Sequence, residues 1–238
     1  MKPIRIFRHL VCQNPGFLGD YLQQQGIPWE MVCVDEAHPV ELKVDDASAL
    51  VFMGAGVSVN DRLPWMGGEL DLMHRALDCD VPILGVCFGA QMLSQALNGS
   101  VYRGEEMEIG WHPVSLCRQH DETGWLTGLP DEFMVFQWHA DTFSLPAGCR
   151  PLIESDCYPH QAFALGDHLG LQFHLEMTEA MVKSWIERYG SDLQNPSGCR
   201  QSGEQILTNL EQRIDQLHRI SVQMYGNWLE RVLERVSS

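Results

Sequence analysis

The stretch VPILGVCFGAQMLSQALNG, residues 81–99, decides the architecture. It starts as an apolar run, passes through Gly85, Cys87 and Gly89, and continues with helical periodicity to Gly99. The run reads as a strand buried on both faces, and its sharp passage into a helix is the geometry of a nucleophile elbow. Glycines two residues either side of the cysteine let the chain bend and let neighbouring backbone approach. A thiol lifted out of a sheet at a helix N-terminus meets unpaired N–H groups that favour the thiolate. An inert thiol packed between two glycines fits the same residues. The stretch alone does not separate the two readings.

Working outward, Ile4–Phe7 predicts a strand, FLGDYLQQQ a helix stopped by Gly26, and WEMVCV a second strand. ALVFM (Ala49–Met53) predicts a third strand, which enters the turn GAGVSVND, and Glu69–Leu77 predicts the next helix. Such alternation favours a parallel sheet with helices on both faces. Beyond Gly99, HPVSLC, DEFMVFQWH, QAFALG and HLGLQFH predict β-hairpins, and MTEAMVKSWIERYG a helix. SDLQNPSGCRQS, residues 191–202, reads as a linker. Leu207, Leu210, Ile214 and Leu217, then Trp228, Leu229, Val232, Leu233 and Val236, predict an amphipathic helix or a helix pair broken at Gly226. The chain thus divides into a domain over 1–190 and a linker with helical extension over 191–238. The extension packs on its own domain or forms a dimer or partner surface.

The 238 residues suit one large domain with an appendage, and 45% hydrophobic residues supply a substantial core. A net charge of −16 argues against a nucleic-acid groove or an anionic membrane surface as partner. The 8 cysteines include no CxxC pair, so they are expected to be reduced. The start MKPIRIFRHL lacks the apolar core of a signal peptide, and no run approaches the roughly 20 apolar residues of a membrane span. A cytoplasmic location is therefore expected.

A thiolate nucleophile needs a base, and the base an orienting group. His174 and Glu176, within LGLQFHLEM, stand at i and i+2. On a strand they share a face, with Cβ atoms about 7 Å apart. A Cys–His–Glu set is then assembled from two strand ends. The rival is a surface histidine beside an acidic residue at a helix start.

GVCFGAQ followed by QFHLE resembles the class I glutamine amidotransferase domain, whose motifs are GxCxGxQ and a later QFHPE-type segment. FMGAGVSVND resembles that family's oxyanion turn. FQWHADTFSLPAG and EIGWHPV (Glu108–Val114) resemble stand-alone members related to the GMP synthetase amidotransferase domain. The resemblance covers about residues 1–190. It implies an α/β fold with a mostly parallel, flavodoxin-like central sheet flanked by helices, the C-terminal helical extension lying outside it.

By resemblance, Cys87 attacks a γ-glutamyl amide to form a thioester, His174 carries the protons and Glu176 orients the imidazole. Backbone N–H groups of Phe88 and of the turn at Ala55 hold the oxyanion. Gly54, Gly56, Gln91, His139 and Asp141 surround the substrate. Ala55 and Gly56 depart from the family's Gly-Pro, Ala140 replaces a glycine, and Leu175 replaces a proline. A positive φ at Ala55 would strain alanine and leave the oxyanion hole incomplete.

Three functions follow from this reading: hydrolysis of glutamine with ammonia passed to a separate synthetase subunit, hydrolysis of a γ-glutamyl peptide, or non-catalytic binding of a metabolite or partner. A synthetase subunit or a second copy of the chain are the partners that suit the C-terminal helices. No glycine-rich phosphate loop is present, and Cys87, His139 and His174 lack metal-ligand spacing. No cofactor or metal is expected.

Overall fold

The computed structural model describes residues 1–36, 43–121 and 124–237. The first half alternates strand and helix: β1 (Ile4–Arg8), α1 (Gly16–Gln24), β2 (Trp29–Cys33), β3 (Ala49–Phe52), α2 (Met66–Asp78), β4 (Ile83–Val86) and α3 (Phe88–Ala96). After α1 the chain turns at Gly26, which adopts a φ of 68° that a side chain would oppose. The second half supplies β5 (Val101–Leu116), β6 (Glu132–Phe143), β7 (Arg150–Glu154), β8 (Ala162–Leu165) and β9 (His168–Leu171).

Among the described residues, nine strands form one sheet in the order β2-β1-β3-β4-β9-β8-β7-β5-β6. The strands from β2 to β9 are parallel, and those from β9 to β6 antiparallel. β9 is the hinge between the two regimes, forming a hairpin with β8 while lying parallel to β4. This brings the ends of β4 and β9 side by side, with Val86 opposite Leu171. Two strands run further than their sequence signals: β5 extends over 16 residues, and β7 arises from RPLIE, whose proline hides it.

The two sheet faces carry separate cores. Ile4, Ile6, Val51 and Leu84 face a cluster shared with α1 and with α4 (Glu179–Arg188), while Leu50, Phe52 and Ile83 face α2 and α3. Beyond α4 come α5 (Gly203–Leu207) and α6 (Leu210–Ser237). Of the two alternatives for the tail, one helix or a pair broken at Gly226, the first is found: α6 is a single helix of 28 residues. Glycine costs about 1 kcal/mol in a helix interior, which burial of the neighbouring Met224, Tyr225 and Trp228 outweighs. Leu210, Ile214, Leu217, Leu229 and Val232 join the same core, whereas Leu207, Leu233 and Val236 remain exposed.

The segment expected as a free linker is pinned to β5. The Ile109 N–H donates to the Cys199 carbonyl (2.8 Å) and the Gln201 N–H to the Ile109 carbonyl (3.0 Å). Cys157 and Cys199 are joined in a disulfide, which corrects the expectation that every thiol is reduced. The pairing joins residues 42 apart, brought together because the 197–201 segment returns along β5. Spacing alone carries no sign of it. Among the described residues no helix is long and apolar enough to cross a membrane.

Candidate active site

Cys87 occupies the junction between β4 and α3 with φ 51° and ψ −104°. That backbone is sparsely populated for an L-residue and costs on the order of 1–3 kcal/mol. The flanking glycines make it attainable. A Cβ on Gly85 would lie 2.5 Å from the Gly89 carbonyl oxygen, and one on Gly89 would overlap the Phe52 carbonyl. Close packing of β3, β4 and α3 therefore forces the bend. The Cys87 N–H donates to the Leu171 carbonyl (2.7 Å), tying the elbow to the end of β9.

His174 and Glu176 lie just past β9, outside its regular ladder. The expected strand alternation does not extend to them, yet the pair forms: His174 Nδ1 donates to Glu176 Oε1 at 2.6 Å, with both side chains about 1% exposed. A local pairing with Phe136 holds His174, whose N–H donates to the Phe136 carbonyl (2.9 Å). Trp185 packs edge-on against the imidazole at 4.9 Å. Burial opposes the imidazolium, but Glu176 and the nearby Cys87 sulfur outweigh it and raise His174 to about 10. The sulfur acts on the ring from close by, although Nε2 lacks a well-formed hydrogen bond. Such looseness is common before substrate binds.

The turn after β3 abuts this pair. A Cβ on Gly54 would lie 3.3 Å from His174 Cε1, and one on Gly56 would lie 3.0 Å from Leu10 and 3.3 Å from the Tyr189 hydroxyl. Ala55 is absent from the residues with positive φ, so it needs no glycine freedom and bears none of the strain its substitution suggested. Gly54 is held from behind by a pair that sequence reading missed. Buried His9 spans two acceptors, the Gly54 carbonyl (3.1 Å from Nδ1) and the Glu69 carboxylate (3.0 Å from Nε2). Its ring also packs at 5.1 Å on both Trp65 and Phe88.

A cavity of about 490 Å³ opens above Cys87. Ala55, Gly56, Phe88, Gln91, His139 and Asp141 line it, with Trp138, Trp185 and Tyr189 along one side. Gln91 Nε2 donates to the Asp141 carbonyl (2.9 Å), and His139 Nδ1 lies 2.9 Å from the same oxygen. The Asp141 carboxylate accepts from the Ser58 hydroxyl and lies 3.9 Å from Arg103 Nη1. A wider depression of about 650 Å³, bordered by Lys2, Asp45, Cys79 and Arg235, contains none of these groups.

Behind His139 stands Glu108, wholly buried and a further residue that sequence reading did not single out. It receives Gln161 Nε2 (2.6 Å) and the Ser155 hydroxyl (2.9 Å), and lies 2.9 Å from His139 Nε2. Burial pushes its carboxyl up, but His139, Ser155 and Gln161 together hold it below the ordinary glutamate value. Glu108, His112 and Cys157 offer ligand atoms within 4.8 Å of one another. That cluster is not arranged for a metal: its sulfur is committed to Cys199 and its carboxylate to the donors just named.

Fold and site define an α/β protein with a cysteine elbow facing a buried histidine–carboxylate pair. Residues 15–187 match the family model described as glutamine amidotransferase class-I, and the chain belongs to that family. It is accordingly an enzyme of the glutamine amidotransferase kind. A glutamine amidotransferase-like protein of Salmonella typhimurium is 27% identical over 222 residues, covering 89% of this chain and 92% of that protein. One subunit of the glutamine-hydrolysing GMP synthase of Sulfurisphaera tokodaii is 30% identical over 189 residues, covering 76% and 92%. A crystal structure of a glutamine amidotransferase from Methylobacillus flagellatus superposes with a TM-score of 0.91 at 33% identity, covering 97% of this chain and 95% of that one.

Proposed function

We propose that the protein hydrolyses a γ-glutamyl amide bond, with Cys87 as nucleophile, His174 as acid and base, and Glu176 as the group orienting His174. The observation that carries this reading is the elbow conformation of Cys87 in front of the 2.6 Å His174–Glu176 hydrogen bond. The Cys87 thiolate attacks the side-chain amide carbon, and the carbonyl electrons move onto oxygen. As the tetrahedral adduct collapses, His174 gives its proton to the departing nitrogen, which leaves as ammonia or an amine. Neutral His174 then takes a proton from water attacking the thioester, and glutamate leaves as the thiolate is restored.

The N–H groups of Phe88 and Ala55 face the developing oxyanion in this reading, and each is worth about 10²–10³ in rate. His9 and Glu69 support both donors, since His9 touches Gly54 and packs on Phe88. Asp141 supplies the charge for the substrate's α-ammonium, while Gln91 and His139 hold its carbonyl in place. The 1–190 domain carries the chemistry, and a cytoplasmic location suits the reduced thiol at Cys87.

Glutamine is the primary substrate in this proposal, its ammonia passing to a separate synthetase subunit. The relationship to one subunit of a GMP synthase supports that version. The cavity's size and its aromatic side of Trp138, Trp185 and Tyr189 favour a second version, in which the leaving group is the amine of a γ-glutamyl conjugate. Intact-mass measurement across glutamine and γ-glutamyl peptides tests both. Wild-type protein gains a glutamyl adduct at Cys87 and releases glutamate; Cys87→Ala does neither. Glutamate release that survives Cys87→Ala rules the mechanism out.

A further inference from the structure

Glu176 sits in irregular backbone, at the point where the resembling motif has proline and this chain has Leu175. Proline would restrict the backbone covalently; here three consecutive carbonyls are restrained instead. The Leu175 carbonyl accepts from the Ser221 hydroxyl (2.8 Å), that of Glu176 from the Phe17 N–H (2.9 Å), and that of Met177 from His218 Nε2 (2.9 Å). Two of the three donors belong to α6. The His218 ring also stacks on Phe17 at 3.8 Å and 8°, joining the third donor's residue to the same helix. Tyr225 extends the row. Positions 218, 221 and 225 follow the i, i+3, i+7 spacing that places side chains on one helix face. Tyr225 is wholly buried, and among the described residues its hydroxyl and Glu176 Oε2 both lack a hydrogen-bond partner. Burial, followed by the Glu176 charge, holds the Tyr225 phenol well above its ordinary value.

We propose that α6, which lies beyond the family-matched residues, sets the reactive geometry of Glu176, with His218 and Ser221 as positioning residues. The proposal rests on the reading of Cys87, His174 and Glu176 as the reacting group. The helix would otherwise be only a lid on the core. The two roles differ in consequence: a lid contributes stability, whereas a positioning helix also fixes the carboxylate that orients His174.

Ser221→Ala and His218→Phe in the full-length chain separate these roles. His218→Phe keeps a ring on Phe17 but removes the donor to the Met177 carbonyl. Glutamine hydrolysis is followed against pH, with the folded fraction fixed by thermal melting. The expected result is a fall in kcat of about tenfold to a hundredfold for Ser221→Ala and His218→Phe, the scale of a sub-ångström to ångström misplacement, with KM close to wild type. The alkaline limb of the profile moves to lower pH, because an imidazolium less well held by Glu176 deprotonates sooner. Variants that melt earlier but keep the wild-type kcat and alkaline limb overturn the proposal. Should one of the two fail to fold, the other decides by its kcat and alkaline limb together. Loss of activity in Cys87→Ala and Glu176→Gln, alongside wild-type behaviour in the α6 variants, removes this proposal and leaves the hydrolase reading standing. Activity that survives Cys87→Ala removes both.

Discussion

The two halves of the candidate site are held in opposite ways. The cysteine half is local: Gly85, Cys87 and Gly89 alternate along one short stretch, and overlap with β3 and α3 leaves the elbow little freedom. The histidine half is assembled from afar. His174 hangs on Phe136, Trp185 and Glu176, and the Glu176 carbonyl on Phe17, while the flanking Leu175 and Met177 carbonyls are held by α6. Local packing fixes where the sulfur stands, whereas long-range hydrogen bonds fix where the imidazole points. The first is bound up with folding of the sheet, and the second can be loosened while the fold persists.

The sharpest test of that contrast is Glu176→Gln. It should lower kcat by about 10³–10⁴-fold, as misorienting a triad base does elsewhere, while circular dichroism stays that of wild type. An equal loss of folded protein would show that the histidine half is as structural as the elbow. Gly89→Ala tests the other side and should act mainly on stability. Its added carbon overlaps the Phe52 carbonyl, at a cost of about 3 kcal/mol. With about 2–4 °C lost per kcal/mol in a chain of this size, calorimetry should register a large drop in Tm.

Glu69→Gln probes the intermediate case, a distant support acting through the Gly54 turn. A charged hydrogen bond becomes a neutral one, and a loss of about 1–2 kcal/mol, or about tenfold in kcat, is expected with Cys87 alkylation by iodoacetamide unchanged. Slower alkylation would mean that the elbow itself depends on His9. A fourth test concerns pH. His174 is raised to about 10 from an ordinary imidazole value of 6.5. Its stabilisation is fully present below about pH 6.5 and is lost as pH rises through about 10. The melting advantage of wild type over Glu176→Gln should therefore narrow across that window. A gap independent of pH would place the stabilisation elsewhere.

The same contrast explains what was legible beforehand. The four parallel strands β1 to β4 and the elbow are written in short patterns of apolar runs and glycines, whereas the order of the strands is not. His174 and Glu176 were found because they lie two residues apart, although the strand expected to align them ends at Leu171. His9–Glu69 and His139–Glu108 were not found, since a buried histidine with a carboxylate 60 or 31 residues away has no local signature. The Cys157–Cys199 disulfide escaped for the same reason. Ala55 misled in the other direction: a substitution that looks costly in a motif carries no φ strain where the backbone does not need glycine.

The single long helix α6 also orders events in time. It follows every other core element along the chain, yet Leu217, Met224, Tyr225 and Trp228 belong to the same cluster as Ile4, Val51 and Leu84. Chains emerge from the ribosome N-terminus first. The sheet can therefore begin to form during synthesis, but the face that carries α1 and α4 is not fully covered until α6 arrives. A nascent chain that already contains Cys87 and His174 still lacks the helix that closes the core behind them.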